Sequence, residues 1–305
     1  MLNLFYMKYR LPKNKKEKIL KKRTDIQFWK GFFVEGALFL IVSVLAITTA
    51  FELNKIATTR KIYLPKTSLQ DVFFSLLFVA FFILLFIVYR KTKKFKKIIY
   101  KGFFILFVFW GGVVVLNLFL PVFGSVFIMG VLITLWLEFS TVLVHNILVI
   151  LGLAGTAGFF GLSFTSPTVV ALLLAFSIYD FIATYRTKYT VEMLKDMIDK
   201  GVVLGFIIPK KINNFKDRIS QLKPERDTII LGGGYVVFPT LLAASVVPSG
   251  FLRALIVITF SLAGMFFSYF ISSWHRGADG PAESIPALPP IALFAIAGYL
   301  IALVF

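Results

Sequence analysis

The sequence has no cysteine, which excludes disulfides and thiolate metal sites, and its only imidazoles are His145 and His275. Nothing in that supply supports metal chemistry, and no motif implies a cofactor. Charge is scarce too: 16% of the 305 residues are charged, against 58% hydrophobic. A water-soluble domain of this length has no use for so much apolar surface, so the lipid bilayer is the expected solvent. Acidic residues are the rarer sign, 15 against 33 basic, for a net charge of +18. Such an excess would suit a nucleic acid. The basic residues cluster between long apolar runs, however, as in the cytoplasmic loops of membrane proteins, and no nucleic-acid partner is expected. Residues 1–27 are too polar and basic for a secretory signal, so this tail is expected to be retained.

What is present is a series of apolar runs, each near the roughly 20 residues needed to cross a bilayer. Nine spans are predicted: Phe28 to Phe51, Val72 to Tyr89, Gly102 to Leu120, Val122 to Leu137, Val142 to Leu162, Pro167 to Tyr185, Thr228 to Val247, Ala254 to Ser273 and Pro286 to Phe305. Only Pro121 separates the third from the fourth. With the N-terminus inside, the inner segments hold 28 of the 33 basic residues and the outer loops 5. That bias predicts a cytoplasmic N-terminus, an outer C-terminus and an odd number of spans. The expected organisation is a basic tail (1–27), five helices (28–165) and a half with four helices (166–305) containing the long polar loop 186–227. The fold class is thus an all-α polytopic membrane protein.

Ionisable residues inside spans are expensive in lipid, and each is a functional candidate. Glu35 has a structural reading, by snorkelling or pairing with Lys30; Glu138 and His145 lie near a helix boundary, where solvation is easier. Asp180 differs in its surroundings. It follows Tyr179 in Ser177-Ile-Tyr-Asp-Phe-Ile-Ala-Thr-Tyr-Arg-Thr-Lys188, about 9 Å from the inner end at about 1.5 Å per residue. The next span opens with Gly232, Gly233 and Gly234 before Tyr235, which by the same rise lies about 10 Å deep in an antiparallel helix. Spacing and topology therefore put positions 180 and 235 at one depth. The last span opens with Pro286, Ala287 and Leu288; proline at a helix start is by itself ordinary.

Together these elements resemble the presenilin and signal peptide peptidase family of intramembrane aspartyl proteases over about residues 135 to 305. Tyr179-Asp180 resembles the Tyr-Asp motif, and the Tyr-Arg-Thr-Lys exit is similar to that of archaeal homologues. Gly232-Gly-Gly234 matches the family's Gly-x-Gly-Asp motif except that Tyr235 stands where its aspartate does; Pro286-Ala-Leu288 matches the Pro-Ala-Leu motif beside the catalytic pair. The resemblance implies a presenilin-like fold, Asp180 and position 235 as the catalytic pair, a transmembrane protein or peptide as substrate, water as nucleophile, and a prokaryotic plasma membrane as location. Prepilin peptidases, which share the Gly-x-Gly-Asp helix, match less well.

Two-carboxyl hydrolysis works because neighbouring carboxylates cannot both ionise: one stays protonated and polarises the scissile carbonyl while the other draws a proton from water. A phenol, with an ordinary pKa of about 10, can donate a hydrogen bond but serves poorly as the ionised partner. The expectation is therefore a protease scaffold with little or no activity. Asp227, Asp279 and Glu283 are poorly placed to substitute. The competing readings are a binder of transmembrane segments that does not cut them, and a transporter or channel, disfavoured because no internal repeat is visible.

Between the motif helices, Val191, Leu194, Met197 and Ile198 recur at helical spacing behind Thr190 and before Gly201. Residues 202–208 read as a strand ended by Pro209. In relatives this region lies near the active site and can pair with an extended substrate, so 202–208 is the expected docking edge, with a surface-lying apolar segment as the alternative. The glycine triplet fits either a loosened backbone or tight helix packing. Gly264 and the series Gly152, Gly155, Gly158 and Gly161 fit packing better.

Overall fold

A computed structural model describes residues 13–62, 66–71, 93–187, 197–198, 201–209, 212–219, 228–275 and 286–305. The expected span Val72 to Tyr89, most of the amphipathic segment 190–198, and Asp227, Asp279 and Glu283 lie outside the described residues. Eight helices are described: α1 (Lys13–Thr59), α2 (Lys93–Leu116), α3 (Val122–Phe139), α4 (Val142–Ser163), α5 (Ser166–Ile182, continued by a π turn, Ala183–Thr187), α6 (Gly233–Ser245), α7 (Phe251–His275) and α8 (Leu288–Ala302). Six contain stretches long and apolar enough to cross a membrane. The runs ending in α6 and α8 are shorter apolar helices, Gly233–Ser249 and Leu288–Ala302. The segment read as a basic tail is helical from Lys13 onward, so α1 runs 47 residues, about 70 Å at the usual rise.

α4 is the centre of the bundle, packed against α1, α2 and α6. Its small residues make this possible. A methyl group on Gly158 would come within 2.7 Å of the Ala46 carbonyl in α1, and one on Gly161 within 2.8 Å of the Leu241 carbonyl in α6. In lipid there is no hydrophobic force pressing apolar helices together, so close backbone approach and dispersion contact must do the holding. The α4 glycine series and Gly264, whose added methyl would sit 2.9 Å from Ile291 Cα in α8, serve packing as expected. A buried hydroxyl pair, Ser43 with Thr240 at 2.9 Å, ties α1 to α6.

The described fold is mostly helical but not all-α. Thr228–Gly232, expected to be the first turns of a helix, is a strand, β2. It pairs antiparallel with β1 (Gly205–Pro209) in the register Gly205 to Gly232, Ile207 to Ile230 and Pro209 to Thr228. Thr228, Ile229 and Ile230 are β-branched and stiff at χ1, which favours a pleated strand, and Gly232 keeps an extended backbone (φ −59°, ψ 135°) before the chain turns helical. The expected strand over 202–208 is present, shifted to end on Pro209. The hairpin rests on a small apolar core of Val142, Ile198, Val203, Ile207 and Ile219. This core is tied to the α3–α4 junction by the Ile219 amide donating to the Ser140 carbonyl at 3.0 Å and the Val142 amide to that of Asp217 at 3.2 Å. The sheet is thereby anchored at the end of the bundle where α5 stops and α6 and α8 begin.

Candidate active site

Asp180 lies in the last turn of α5 and is buried, 9% exposed. Tyr235 lies in the first turn of α6, not two turns into it, because the helix begins at Gly233. The expected meeting of the two positions occurs nonetheless: the Tyr235 hydroxyl donates to Asp180 Oδ1 at 3.1 Å. One turn away the Phe176 and Phe238 rings stack with centroids 4.3 Å apart. Phe176 precedes Asp180 by four residues and Phe238 follows Tyr235 by three, so the stack lies on the same helix faces and sets the spacing of α5 and α6.

The second carboxylate oxygen, Asp180 Oδ2, accepts the Leu288 amide at 3.0 Å. A helix normally presents four unbonded amides at its start, which suit an anion. In Pro286-Ala-Leu-Pro-Pro290 three of the five residues have no amide hydrogen, so only Ala287 and Leu288 can donate there. Both amides face Asp180, the Leu288 amide at hydrogen-bond distance, and the carboxylate thus joins α5, α6 and α8. The prolines at 289 and 290 were the available signal for this contact. Pro286 and Leu288 are buried and Ala287 half-buried.

Tyr179 is 60% exposed and stands outside this cluster. Of the glycines, Gly232 caps α6, and Gly233 is buried with its amide donating to the Leu204 carbonyl at 3.0 Å, which links the helix start to the entry of β1. Glu35 is buried in α1, while Glu138 is exposed at the end of α3.

The expected docking edge at 202–208 is occupied. On one side β1 pairs with β2; on the other, His145 and Asn146 of α4 bond to it. Asn146 Nδ2 donates to the Ile207 carbonyl at 2.7 Å, Asn146 Oδ1 accepts the Ile207 amide at 3.0 Å, and His145 Nε2 lies 3.1 Å from the Gly205 carbonyl. His145 thus has a structural role, but not through the easier solvation expected at a helix boundary, since it is fully buried against the strand. Asn146 carried no mark beyond being an amide in an apolar span. Because Ile207 turns both its groups toward α4, its partner Ile230 turns both of its own away from β1, as residues of a non-hydrogen-bonded antiparallel pair must. Among the described residues, the hairpin's open edge is therefore on β2, at Ile230 and Gly232.

The model of the family "signal-peptide peptidase, presenilin aspartyl protease" matches residues 36–305. The chain belongs to this family. Among solved structures, a presenilin family intramembrane aspartate protease in a C222 crystal form is 20% identical. The match covers 90% of this chain and 98% of that one, with a TM-score of 0.58. A structure titled in the same way in space group P2 is 18% identical, with 88% and 96% covered and a TM-score of 0.51. At such identities the likeness shows a presenilin-like fold alone. No functionally curated protein matches the sequence.

Proposed function

We propose that this presenilin-family chain is an intramembrane aspartyl endopeptidase scaffold for transmembrane segments, in which Asp180 and position 235 are the catalytic pair and Tyr235 suppresses cleavage. The observation that carries the reading is the 3.1 Å contact between Tyr235 and Asp180, which puts the side chain at the motif's second position against the first. As sequenced, both oxygens of Asp180 are engaged, by a phenol and by an amide, and the pair has one carboxyl instead of two. The phenol reaches past where a carboxylate at 235 would end and bonds Asp180 directly. With a carboxyl there, one acid would hold a proton and polarise the scissile carbonyl while the other took a proton from water. Gly232, Gly233 and Gly234 belong to the motif at position 235 and the exposed Tyr179 to that at Asp180, and Pro286, Ala287 and Leu288 serve on the substrate side, with the Leu288 amide fixing Asp180.

The reading includes nine spans with the N-terminus inside and the C-terminus outside, an archaeal-type chain, a supporting half (28–165) and a catalytic-type half (166–305). The substrate strand adds to β2, whose outer edge at Ile230 points away from β1. A second reading, in which the chain grips transmembrane segments without cutting them, is favoured by the closed hydrogen-bonding of Asp180.

The deciding experiment is Tyr235→Asp with a transmembrane substrate in bilayers. Restoring a general acid or base is expected to raise cleavage by about 10²–10⁴-fold, and Asp180→Ala in that background should abolish the gain. Binding with no cleavage in the Tyr235→Asp protein would leave the gripping role and sink the catalytic assignment of 235.

A further inference from the structure

A two-stranded hairpin has two edges, and each is a template for another strand. In this hairpin one edge has been closed by three separate devices. All fall on the alternate residues of β1 whose groups point away from β2. The Gly205 carbonyl lies 3.1 Å from His145 Nε2; since a carbonyl can only accept, the imidazole proton must sit on Nε2. The Ile207 carbonyl and amide bond to the carboxamide of Asn146 at 2.7 and 3.0 Å. Pro209, next along the same edge, has no amide hydrogen.

Asn146 is the centre of this arrangement. A primary carboxamide carries the same donor and acceptor as a peptide group, so a pair of bonds to both groups of one residue is what a neighbouring strand would make. The side chain is 6% exposed and His145 is fully buried, its ring stacked on Phe104 with centroids 5.0 Å apart and an 8° interplanar angle. Both residues sit in the first turns of α4, the most buried of the six long apolar helices. The clamp is thus fixed to the rigid centre of the bundle, while β2, on the other side of the hairpin, leads within three residues to Tyr235.

We propose that Asn146 is a positioning residue that stands in for a strand on the far edge of β1, confining strand addition to β2 and so fixing the register in which an extended substrate crosses Asp180 and Tyr235. This rests on the reading of the chain as a scaffold for transmembrane substrates. Register matters here because a one-residue slip turns every side chain to the other face and moves a different peptide bond to the site.

The test uses the full chain in lipid bilayers and a transmembrane peptide carrying one benzophenone, with crosslinked positions read by mass spectrometry. In the parent, crosslinks are expected within Thr228–Gly232 and not within Gly205–Pro209. Asn146→Ala is expected to bring the β1 share up to at least the β2 share. In a Tyr235→Asp background it should also spread cleavage from one dominant bond to several. Asn146→Ser, whose short hydroxyl cannot span both Ile207 groups, is the second variant should the alanine protein fail to fold. Thr240→Ala, which breaks the distant Ser43 contact, should lower thermal stability without moving the crosslinks, so instability alone does not mimic the effect. A folded Asn146 variant that keeps the parental pattern overturns the proposal. A parent that crosslinks nowhere on β2 overturns the substrate-scaffold reading, and this proposal with it.

Discussion

In α4, a methyl group on Gly155 would overlap the Gly111 carbonyl of α2, and one on Gly158 would press on the Ala46 carbonyl of α1. At the start of α6, one on Gly234 would meet only the Phe238 ring, at an ordinary 3.5 Å, and one on Gly232 would come nearest the Tyr235 ring, at 3.4 Å. The two stretches are alike in composition. The first is glycine because neighbouring backbone fills the space; at 234 the second is glycine where no described neighbour requires it, one residue before Tyr235. Glycine in a helix costs about 0.5–1 kcal/mol relative to alanine. In α4 close packing offsets that cost. At 234 no described neighbour does, whereas at 232 the cap position itself favours glycine over alanine; the room left at 234 is the mark expected of a surface kept clear for another chain.

The contrast breaks most sharply at Gly155. Gly155→Leu puts a side chain against backbone of α2, which has no rotamer by which to yield, and overpacking of this kind costs about 1–3 kcal/mol or more. We expect loss of the cooperative thermal transition in detergent and little protein in the membrane fraction. A Gly155→Leu protein as stable as the parent would mean that α2 and α4 do not approach as described. Gly233 is intermediate. Its added methyl would lie 3.2 Å from the Leu204 carbonyl and 3.3 Å from Leu153 Cδ2, so a few tenths of an ångström must be found. Gly233→Ala is expected to lower stability by about 1 kcal/mol, read as a drop in melting temperature, with the β1–β2 entry loosened rather than the bundle opened.

How far this contrast was legible in the sequence varied with the kind of interaction. The meeting of Asp180 and Tyr235 followed from counting residues to the ends of two antiparallel spans, even though one of those counts assumed helix where Thr228–Gly232 is strand. A run such as Thr-Ile-Ile-Leu leading straight into an apolar helix has no periodicity that separates strand from helix. Pro209 did mark the end of β1, since a missing amide hydrogen is a local property. Asn146 was not legible, because one amide in a helix says nothing of what it faces until the chain folds back 61 residues later to present Ile207. Nor was the Leu288 amide, which is a backbone group; only the two prolines after it, by removing its competitors, could have pointed to it.

The smallest effect separates the two uses of glycine most cleanly. Gly234 is in the first turn of α6, has no positive φ, and has room for a methyl group, so Gly234→Ala should leave stability unchanged or raise it by up to about 1 kcal/mol through the unfolded chain's reduced freedom. If the triplet is kept clear for a substrate backbone, the same change should weaken binding of a transmembrane peptide several-fold while the melting temperature holds or rises. Stability and binding would then move in opposite directions, which a packing role cannot produce. Unchanged binding in a Gly234→Ala protein would place the substrate elsewhere along β2, nearer Ile230 than the helix start.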